Sequence, residues 1–253
     1  MKSRLIIAAA LLALSFSTAL GQPLQEPELR LSTLPNEPPR VALTFDACMG
    51  KTDERILQTL IENKIRATIF VTARWIKRNP QAVAEIKANA DLFEIENHGA
   101  KHIPIVDFPT KVFGLEAAGS PEAVRAEIEG GAKAIEIAFG KKPKWFRGAT
   151  GLYSMSAEKI IAEMDYKLAG YSVHGDGGAS FSTRRTATTF GAAKDGDVII
   201  AHINQPTKPA GVGVVEGILK LKTDGFEFVK LQDGFKQPQP HINTCNRCAD
   251  SAH

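Results

Sequence analysis

The stretch VALTFDACMG, residues 41–50, decides the fold prediction for this chain. Its short apolar run ends in one acid, Asp46, and is followed by an alanine, a cysteine and a glycine. A run of this kind indicates a β-strand, and the carboxylate at its end makes the strand end a candidate functional site. The stretch raises two questions: what Asp46 does there, and why Cys48 follows two residues later.

Beyond this stretch, short β-branched or aromatic runs alternate with longer segments of helical period, which indicates an α/β fold with parallel strands, either a barrel or an open doubly wound sheet. In both architectures the catalytic and binding residues lie at the carboxyl ends of the strands. The predicted strands are residues 41–46, 67–72, 92–98, 144–148, 167–173, 197–203 and 226–231, and the predicted helices include residues 53–62, 80–88, 121–137, 156–164 and 212–222. Residues 103–119 lack a clear period and are predicted to form a long loop.

The first residues have the pattern of a secretory signal peptide. Lys2 and Arg4 precede an apolar run, and small residues follow as far as Gly21, so we predict cleavage after residue 21 and a secreted or periplasmic protein without a membrane anchor. Removing Lys2 and Arg4 lowers the formal charge from +3 to +1. A net charge this close to zero does not favour nucleic acid binding. We also expect a monomer.

The remainder of the chain divides into an arm, a domain and a tail. Residues 22–39 are rich in proline and are predicted to be an extended linker or arm, residues 40–235 the domain, and residues 236–253 a C-terminal tail with a C-x-x-C pair. In an oxidising compartment Cys245 and Cys248 could form a local disulfide. Cys48 could instead pair with either of them, or the tail pair could bind a metal with His241, and spacing does not decide.

Polar residues stand at the ends of the predicted strands. They are Asp46, His98, Arg147 and His202, with Asp176 following the fifth strand. Each also has a structural interpretation: a carboxylate that caps or forms a salt bridge, an arginine in a buried ion pair, and a histidine satisfied in the core.

The segment ENHGAKH carries a more specific signal. The H-x-x-x-H spacing of His98 and His102 predicts two imidazoles on one face of a helical turn, where both can reach one divalent cation. The alternative is two unrelated polar residues on a surface, and the position directly after an apolar strand favours the ligand pair.

Taken together, these residues resemble the NodB-type polysaccharide deacetylases, carbohydrate esterase family 4. The segments VALTFDA, ATIFVTARWI, FEIENHGAKH, FRGATG and DVIIAHI match that family's segments in order, over roughly residues 40–232. The resemblance implies a distorted (β/α)7 barrel with parallel strands, the NodB homology domain. It also implies a hydrolase that removes acetyl groups from N-acetylated sugars with a divalent metal, for which we expect Zn²⁺.

The resemblance also implies roles for individual residues. Asp46 takes the place of the catalytic base and Arg147 that of the residue which holds the base. His98 and His102 take the places of two metal ligands, and His202 that of the general acid.

Two departures from the family pattern bear on the site. The family places a second acid, the third metal ligand, where this chain has Ala47. The third ligand is then Asp46 itself, Cys48, Asp53, another residue or water; Asp53 also suits a helix N-cap, and Cys48 is either a thiolate ligand or a buried apolar residue.

The fourth motif is replaced by SVHGDGGAS. Asp176 is the predicted partner that orients His202, and His174 either lines the cleft or replaces a lost group. The expected substrate is an N-acetylglucosamine-containing polysaccharide, with peptidoglycan favoured and a chitin-like glycan next. The alternative is a glycan-binding or envelope-assembly protein that has kept the fold and lost efficient catalysis.

Overall fold

The computed structural model describes residues 23–33 and 35–235. The predicted signal peptide, the C-terminal tail and the disulfide alternatives that involve Cys245 and Cys248 lie outside the described residues. Among the described residues, no helix is both long and apolar enough to cross a membrane.

The centre of the fold is a parallel sheet that curls into an incomplete barrel. Its strands are β1 (Arg40–Ala47), β2 (Ala67–Val71), β3 (Phe93–Asn97), β6 (Trp145–Phe146), β7 (Lys167–Leu168), β8 (Val173–His174), β9 (Val198–His202) and β10 (Glu227–Phe228), and a separate antiparallel hairpin comprises β4 (Lys111–Val112) and β5 (Leu115–Glu116). The order across the sheet is β7-β6-β3-β2-β1-β9-β8, and β10 pairs with the start of β1. The predicted distorted (β/α)7 barrel is confirmed.

Helices cover the outside of the sheet. They are α1 (Glu54–Glu62), α2 (Ala73–Arg78), α3 (Pro80–Ala88), α4 (Pro121–Phe139), α5 (Met155–Glu163), α6 (Thr183–Gly191), α7 (Ala210–Thr223) and α8 (Leu231–Gly234). Three helices were not predicted from the sequence: α2 with six residues, α8 with four, and α6, whose buried face comprises only Thr186 and Phe190. Helices α2 and α8 are too short to show a helical period, and α6 is too poor in apolar residues.

The predicted fifth strand, residues 167–173, is in fact two short strands, β7 and β8. Gly170 lies between them, and a side chain there would meet the carbonyl oxygen of Pro27 at 2.1 Å. The proline-rich segment therefore passes directly over this point, and the strand is interrupted where it does so.

Residues 23–33 form an arm that lies along the domain. Gln25 and Tyr153 exchange backbone hydrogen bonds, and the Leu31 amide donates to the Gly196 carbonyl at 2.8 Å. The Arg30 guanidinium contacts Asp197 at 2.5 Å. The side chain of Leu31 is buried in a cluster with Val198, Val229 and Leu231, so the arm is part of the packed structure.

Side chains along β1 alternate between the surrounding helices and the interior of the barrel, where the site lies. Leu43, Phe45 and Ala47 pack in the large apolar cluster shared with helix α1, whereas Thr44 and Asp46 both receive hydrogen bonds from Arg147 inside the barrel. Because successive side chains of a strand point to opposite faces, Ala47 faces the helices and Asp46 faces the interior.

Candidate active site

Asp46 is held by a completely buried arginine. Arg147 Nη1 donates to Asp46 Oδ1 and to Thr44 Oγ1, both at 3.0 Å. Its Nε and Nη2 donate to the carbonyl oxygens of Ala169 and Gly170 at 3.1 and 3.0 Å. The guanidinium is thus satisfied on all three nitrogens, as a buried charge must be, and it fixes the orientation of the carboxylate.

The charge of Asp46 follows from these neighbours. Burial alone would raise the pKa of its carboxyl group, but the combined attraction of His98, Arg147 and His202 outweighs burial and lowers that pKa below its ordinary value. Asp46 is therefore a carboxylate at neutral pH, with one oxygen engaged by Arg147.

His98 is oriented by the backbone of the same arginine. Its Nδ1 lies 2.6 Å from the Arg147 carbonyl oxygen, and because a carbonyl can only accept, Nδ1 carries the proton. In the neutral ring, which is the form that binds a metal, the lone pair is on Nε2, which lies 3.5 Å from Cys48 Sγ and 3.7 Å from Asp46 Oδ2. A backbone acceptor on the far nitrogen is the usual arrangement of a metal-binding histidine.

His98 and His102 are not on a helical turn, and this prediction was wrong. The loop between them contains positive φ angles at Gly99 (85°) and His102 (64°), and it folds around Glu127 of α4. The Glu127 Oε1 atom accepts from the amides of Lys101 and Ile103 at 2.7 and 3.2 Å. This buried carboxylate replaces helical hydrogen bonding, and the loop still brings the two imidazole rings to a centroid distance of 5.1 Å.

Cys48, His98 and His102 form a group that could hold a metal ion, with one ligand atom from each residue and all of these atoms within 4.8 Å of one another. The His102 Nδ1 atom is buried and has no hydrogen-bond partner among the described residues. Burial would raise the pKa of the Cys48 thiol, but His98, His102 and His202 together lower it well below its ordinary value. One thiolate and two imidazoles are donors that zinc prefers, so the residues present fit the expected cation.

His202 and Asp176 form the second polar pair. Asp176 Oδ1 lies 3.0 Å from His202 Nδ1, and Asp176 Oδ2 accepts from the His202 amide at 2.6 Å. Burial alone would lower the pKa of His202, but Asp176, with a smaller contribution from Cys48, raises it well above its ordinary value. His202 is therefore protonated at neutral pH, and its Nε2–H can donate to a molecule bound in the cleft.

A cleft of about 640 Å³ opens onto these groups; Asp46, Cys48, His102 and His202 line it, and His174 lies on its wall. Asp53 is not part of it. Its Oδ1 accepts from the Arg55 amide as the N-cap of α1, and its Oδ2 is 2.6 Å from the Arg55 guanidinium.

The sequence predictions placed six residues at this site, and the structure brings all of them to one end of the barrel. These residues are Asp46, His98, His102, Arg147, Asp176 and His202. Coordination by Asp46 stays a prediction, since its Oδ1 is engaged by Arg147. Sequence reasoning missed Glu127, which lies far along the chain in a helix, and Phe113, which lines the cleft from the β4–β5 hairpin. The alternation of β1 was the available signal that Cys48 shares a side with Asp46.

A sequence profile described as polysaccharide deacetylase matches residues 33–169. The chain belongs to the polysaccharide deacetylase family. The predicted enzyme class, a hydrolase of this family, is confirmed at that level.

Two curated relatives show the range of deacetylase proteins that the chain resembles. It is 26% identical over 200 residues to a bifunctional xylanase/deacetylase of Pseudobutyrivibrio xylanivorans, covering 78% of this chain and 30% of the relative. It is 26% identical over 208 residues to a peptidoglycan-N-acetylglucosamine deacetylase of Bacillus cereus, covering 79% of this chain and 90% of the relative. The chain thus spans less than a third of the first relative and nearly all of the second.

Solved structures share the fold. A peptidoglycan N-acetylglucosamine deacetylase superimposes with a TM-score of 0.66 at 22% identity, covering 82% of this chain and 92% of the other. A carbohydrate esterase family 4 pseudoenzyme from Bacillus anthracis superimposes with a TM-score of 0.65 at 22% identity, covering 83% and 69%. The same fold therefore occurs in a deacetylase and in a pseudoenzyme.

Proposed function

We propose that this chain is an exported, metal-dependent deacetylase that removes N-acetyl groups from an N-acetylglucosamine-containing envelope polysaccharide. Peptidoglycan is the favoured substrate, and a chitin-like glycan is the next candidate. The observation that carries the proposal is the presence in one cleft of a carboxylate held by Arg147, a protonated histidine held by Asp176, and a cluster of metal-binding donors.

The roles of the residues follow from their charges. His98, His102 and a third donor would hold zinc, and a divalent cation bound there supplies Lewis-acid polarisation of the acetyl carbonyl and of the attacking water. The ionised Asp46 accepts a proton from that water as its oxygen adds to the carbonyl carbon. When the carbon–nitrogen bond breaks, His202 donates its proton to the leaving amine nitrogen, and acetate is released.

The cleft suits a polymeric sugar better than a small amide. The ring of Phe113, which lines the cleft, is 80% exposed. An exposed aromatic ring offers a flat apolar face to a sugar ring. The Bacillus cereus relative, named for peptidoglycan, supports the favoured substrate.

A second candidate is a glycan-binding or envelope-assembly protein with weakened catalysis. Ala47 favours it, because an alanine replaces the acid that the family uses as a metal ligand. The similarity in fold to a pseudoenzyme adds support. The retained pairs Asp46–Arg147 and Asp176–His202 count against it, since binding alone requires neither a base nor an acid.

Acetate release from peptidoglycan and from chitin oligomers distinguishes the two candidates. The wild-type chain, freed of metal and then supplied with zinc, is compared with a double variant, His98→Ala with His102→Ala. We expect zinc-dependent acetate release that is lost in the double variant. Glycan binding that survives in both proteins, with no acetate released by either, would overturn the deacetylase and support the binding protein.

A further inference from the structure

Asp46 and Ala47, the last two residues of β1, and Cys48, which follows the strand, have separate surroundings. Asp46 is directed to Arg147 inside the barrel, with Oδ1 at 3.0 Å from the guanidinium. Ala47 is fully buried in the apolar cluster against the helices and has no donor atom. The next residue, Cys48, returns to the interior, and its Sγ lies 3.5 Å from His98 Nε2. The acid near the end of β1 and the sulfur of the residue that follows the strand thus line one cleft.

The distance between sulfur and nitrogen fits a shared metal ion. A tetrahedral zinc ion binds sulfur at ~2.3 Å and imidazole nitrogen at ~2.0 to 2.1 Å, which separates the two donor atoms by about 3.6 Å. The observed separation of Cys48 Sγ and His98 Nε2 is 3.5 Å. The third donor, on His102, lies within 4.8 Å of both atoms, so a small movement of that ring completes the site.

The other nearby donors have partners. Asp53 is the N-cap of α1 and is bound to Arg55. Asp46 Oδ1 is bound to Arg147, and Asp46 Oδ2 lies 3.7 Å from His98 Nε2, farther than the Cys48 sulfur. Asp176 is bound to the amide and ring of His202. Cys48 is buried at 7% exposure, and its sulfur lies beside the His98 imidazole.

We propose that the Cys48 thiolate is the third protein ligand of the metal, so that a cysteine–histidine–histidine site replaces the family's carboxylate site and leaves Asp46 free to act as the base. The inference deepens the proposed function, because it concerns the same cleft. A thiolate is a soft ligand that favours zinc or cobalt over magnesium or manganese. The site therefore selects its metal more narrowly than one built with a carboxylate.

Cobalt(II) titration of the metal-free full chain tests this assignment, because a cobalt–thiolate bond produces a charge-transfer absorption band in the near ultraviolet and a carboxylate or imidazole bond does not. Cys48→Ser is the test variant. A Cys245→Ser, Cys248→Ser double variant is the matched control, since it removes the other two cysteines of the chain. Cys48→Asp is a second test variant that offers an oxygen ligand in place of sulfur, and circular dichroism checks that each protein is folded.

We expect one equivalent of cobalt and the thiolate band in the wild type and in the tail variant. In Cys48→Ser the band disappears and the affinity falls by more than about tenfold, since the loss even of groups that only orient ligands costs 10- to 100-fold. Cys48→Asp is expected to bind cobalt without the band. A band that persists in Cys48→Ser, that disappears in the tail variant, or that is absent from the wild type would overturn the proposal. These results do not depend on acetate release, so a failure of the proposed activity is seen separately.

Discussion

At the level of single residues, Arg147 and Asp46 form a buried ion pair, with side chains 0% and 7% exposed. Arg147→Ala leaves the Asp46 carboxylate buried at 5% exposure without its partner. We expect the free energy of unfolding, measured by denaturant titration, to fall by about 3–5 kcal/mol, the range for a buried charge that loses its partner.

The matched control for Arg147→Ala is Arg125→Ala. Arg125 forms a salt bridge with Glu163 in which the two side chains are 40% and 60% exposed, so its loss should cost no more than about 1 kcal/mol. Equal losses in the two variants would contradict the role assigned to the buried pair.

The proposed acid, His202, gives a pH prediction. Asp176 raises the pKa of His202, and general acid catalysis is lost as pH rises through that pKa. Asp176→Asn removes the negative charge, so the pKa of His202 falls and the alkaline limb of the kcat profile should move to lower pH.

Asp107→Asn is the control for that measurement. Asp107 accepts hydrogen bonds from Ser154 and Ser156 and is not part of the cleft. Its substitution should leave the alkaline limb in place, and a limb that does not move in Asp176→Asn would show that Asp176 does not set the protonation of His202.

Much of the site was predictable at this scale because parallel strands bring their carboxyl ends to one edge. Asp46, His98, Arg147 and His202 converge for that reason alone. The loop between His98 and His102 was not predictable, since its conformation depends on the carboxylate of Glu127 in α4. A contact between residues so distant in sequence leaves no periodic signal.

At the scale of the element, the β4–β5 hairpin forms the edge of the cleft. Phe113 lies between its two strands at a φ of 49° and is 80% exposed, so it contributes little to the stability of the core. Phe113→Ala should raise KM for a polymeric substrate several-fold through the loss of ring contacts and leave the thermal midpoint of unfolding unchanged.

Ile137→Ala provides the control for the hairpin. Ile137 is 77% exposed on α4 and does not line the cleft. Acetate release at varied concentrations of glycan should give the wild-type KM for this variant. An unchanged KM in Phe113→Ala would exclude the hairpin from substrate binding.

Longer strands and helices with a clear apolar period were predicted correctly, and the shortest elements were missed. The predicted strand 41–46 and helix 80–88 are found as Arg40–Ala47 and Pro80–Ala88. The hairpin in residues 103–119 has strands of two residues each, which is too short for alternation to be visible. The division of the predicted strand 167–173 required knowledge of where Pro27 passes.

Across the whole molecule, the arm reaches from the start of β9, where the Leu31 amide donates to the Gly196 carbonyl, to the cleft, where the hydroxyl of Tyr171 donates to Glu26. Leu31 is 5% exposed and packs with Leu231 and Val229. Leu31→Ala should lower the free energy of unfolding by about 2–5 kcal/mol, the range for truncating a buried leucine.

Leu219→Ala is the control for the arm. Leu219 lies on α7 and is 39% exposed, so its truncation should change stability by no more than about 0.5 kcal/mol. If Leu31→Ala costs as little, the arm does not contribute to the packing of the barrel. The proline content of residues 22–39 predicted an extended segment, whereas its attachment depends on separate contacts with Gly196 and Asp197.

In the proposed deacetylase, the base and the metal ligands are separate groups. Acetate release per bound zinc, compared between the wild type and Asp46→Asn, tests this separation. We predict that the wild type releases acetate from peptidoglycan in proportion to its zinc, and that Asp46→Asn binds one equivalent of zinc but is slower by about 10²–10⁴-fold. A zinc-loaded wild type that releases no acetate, or an Asp46→Asn variant that no longer binds zinc, would contradict the account.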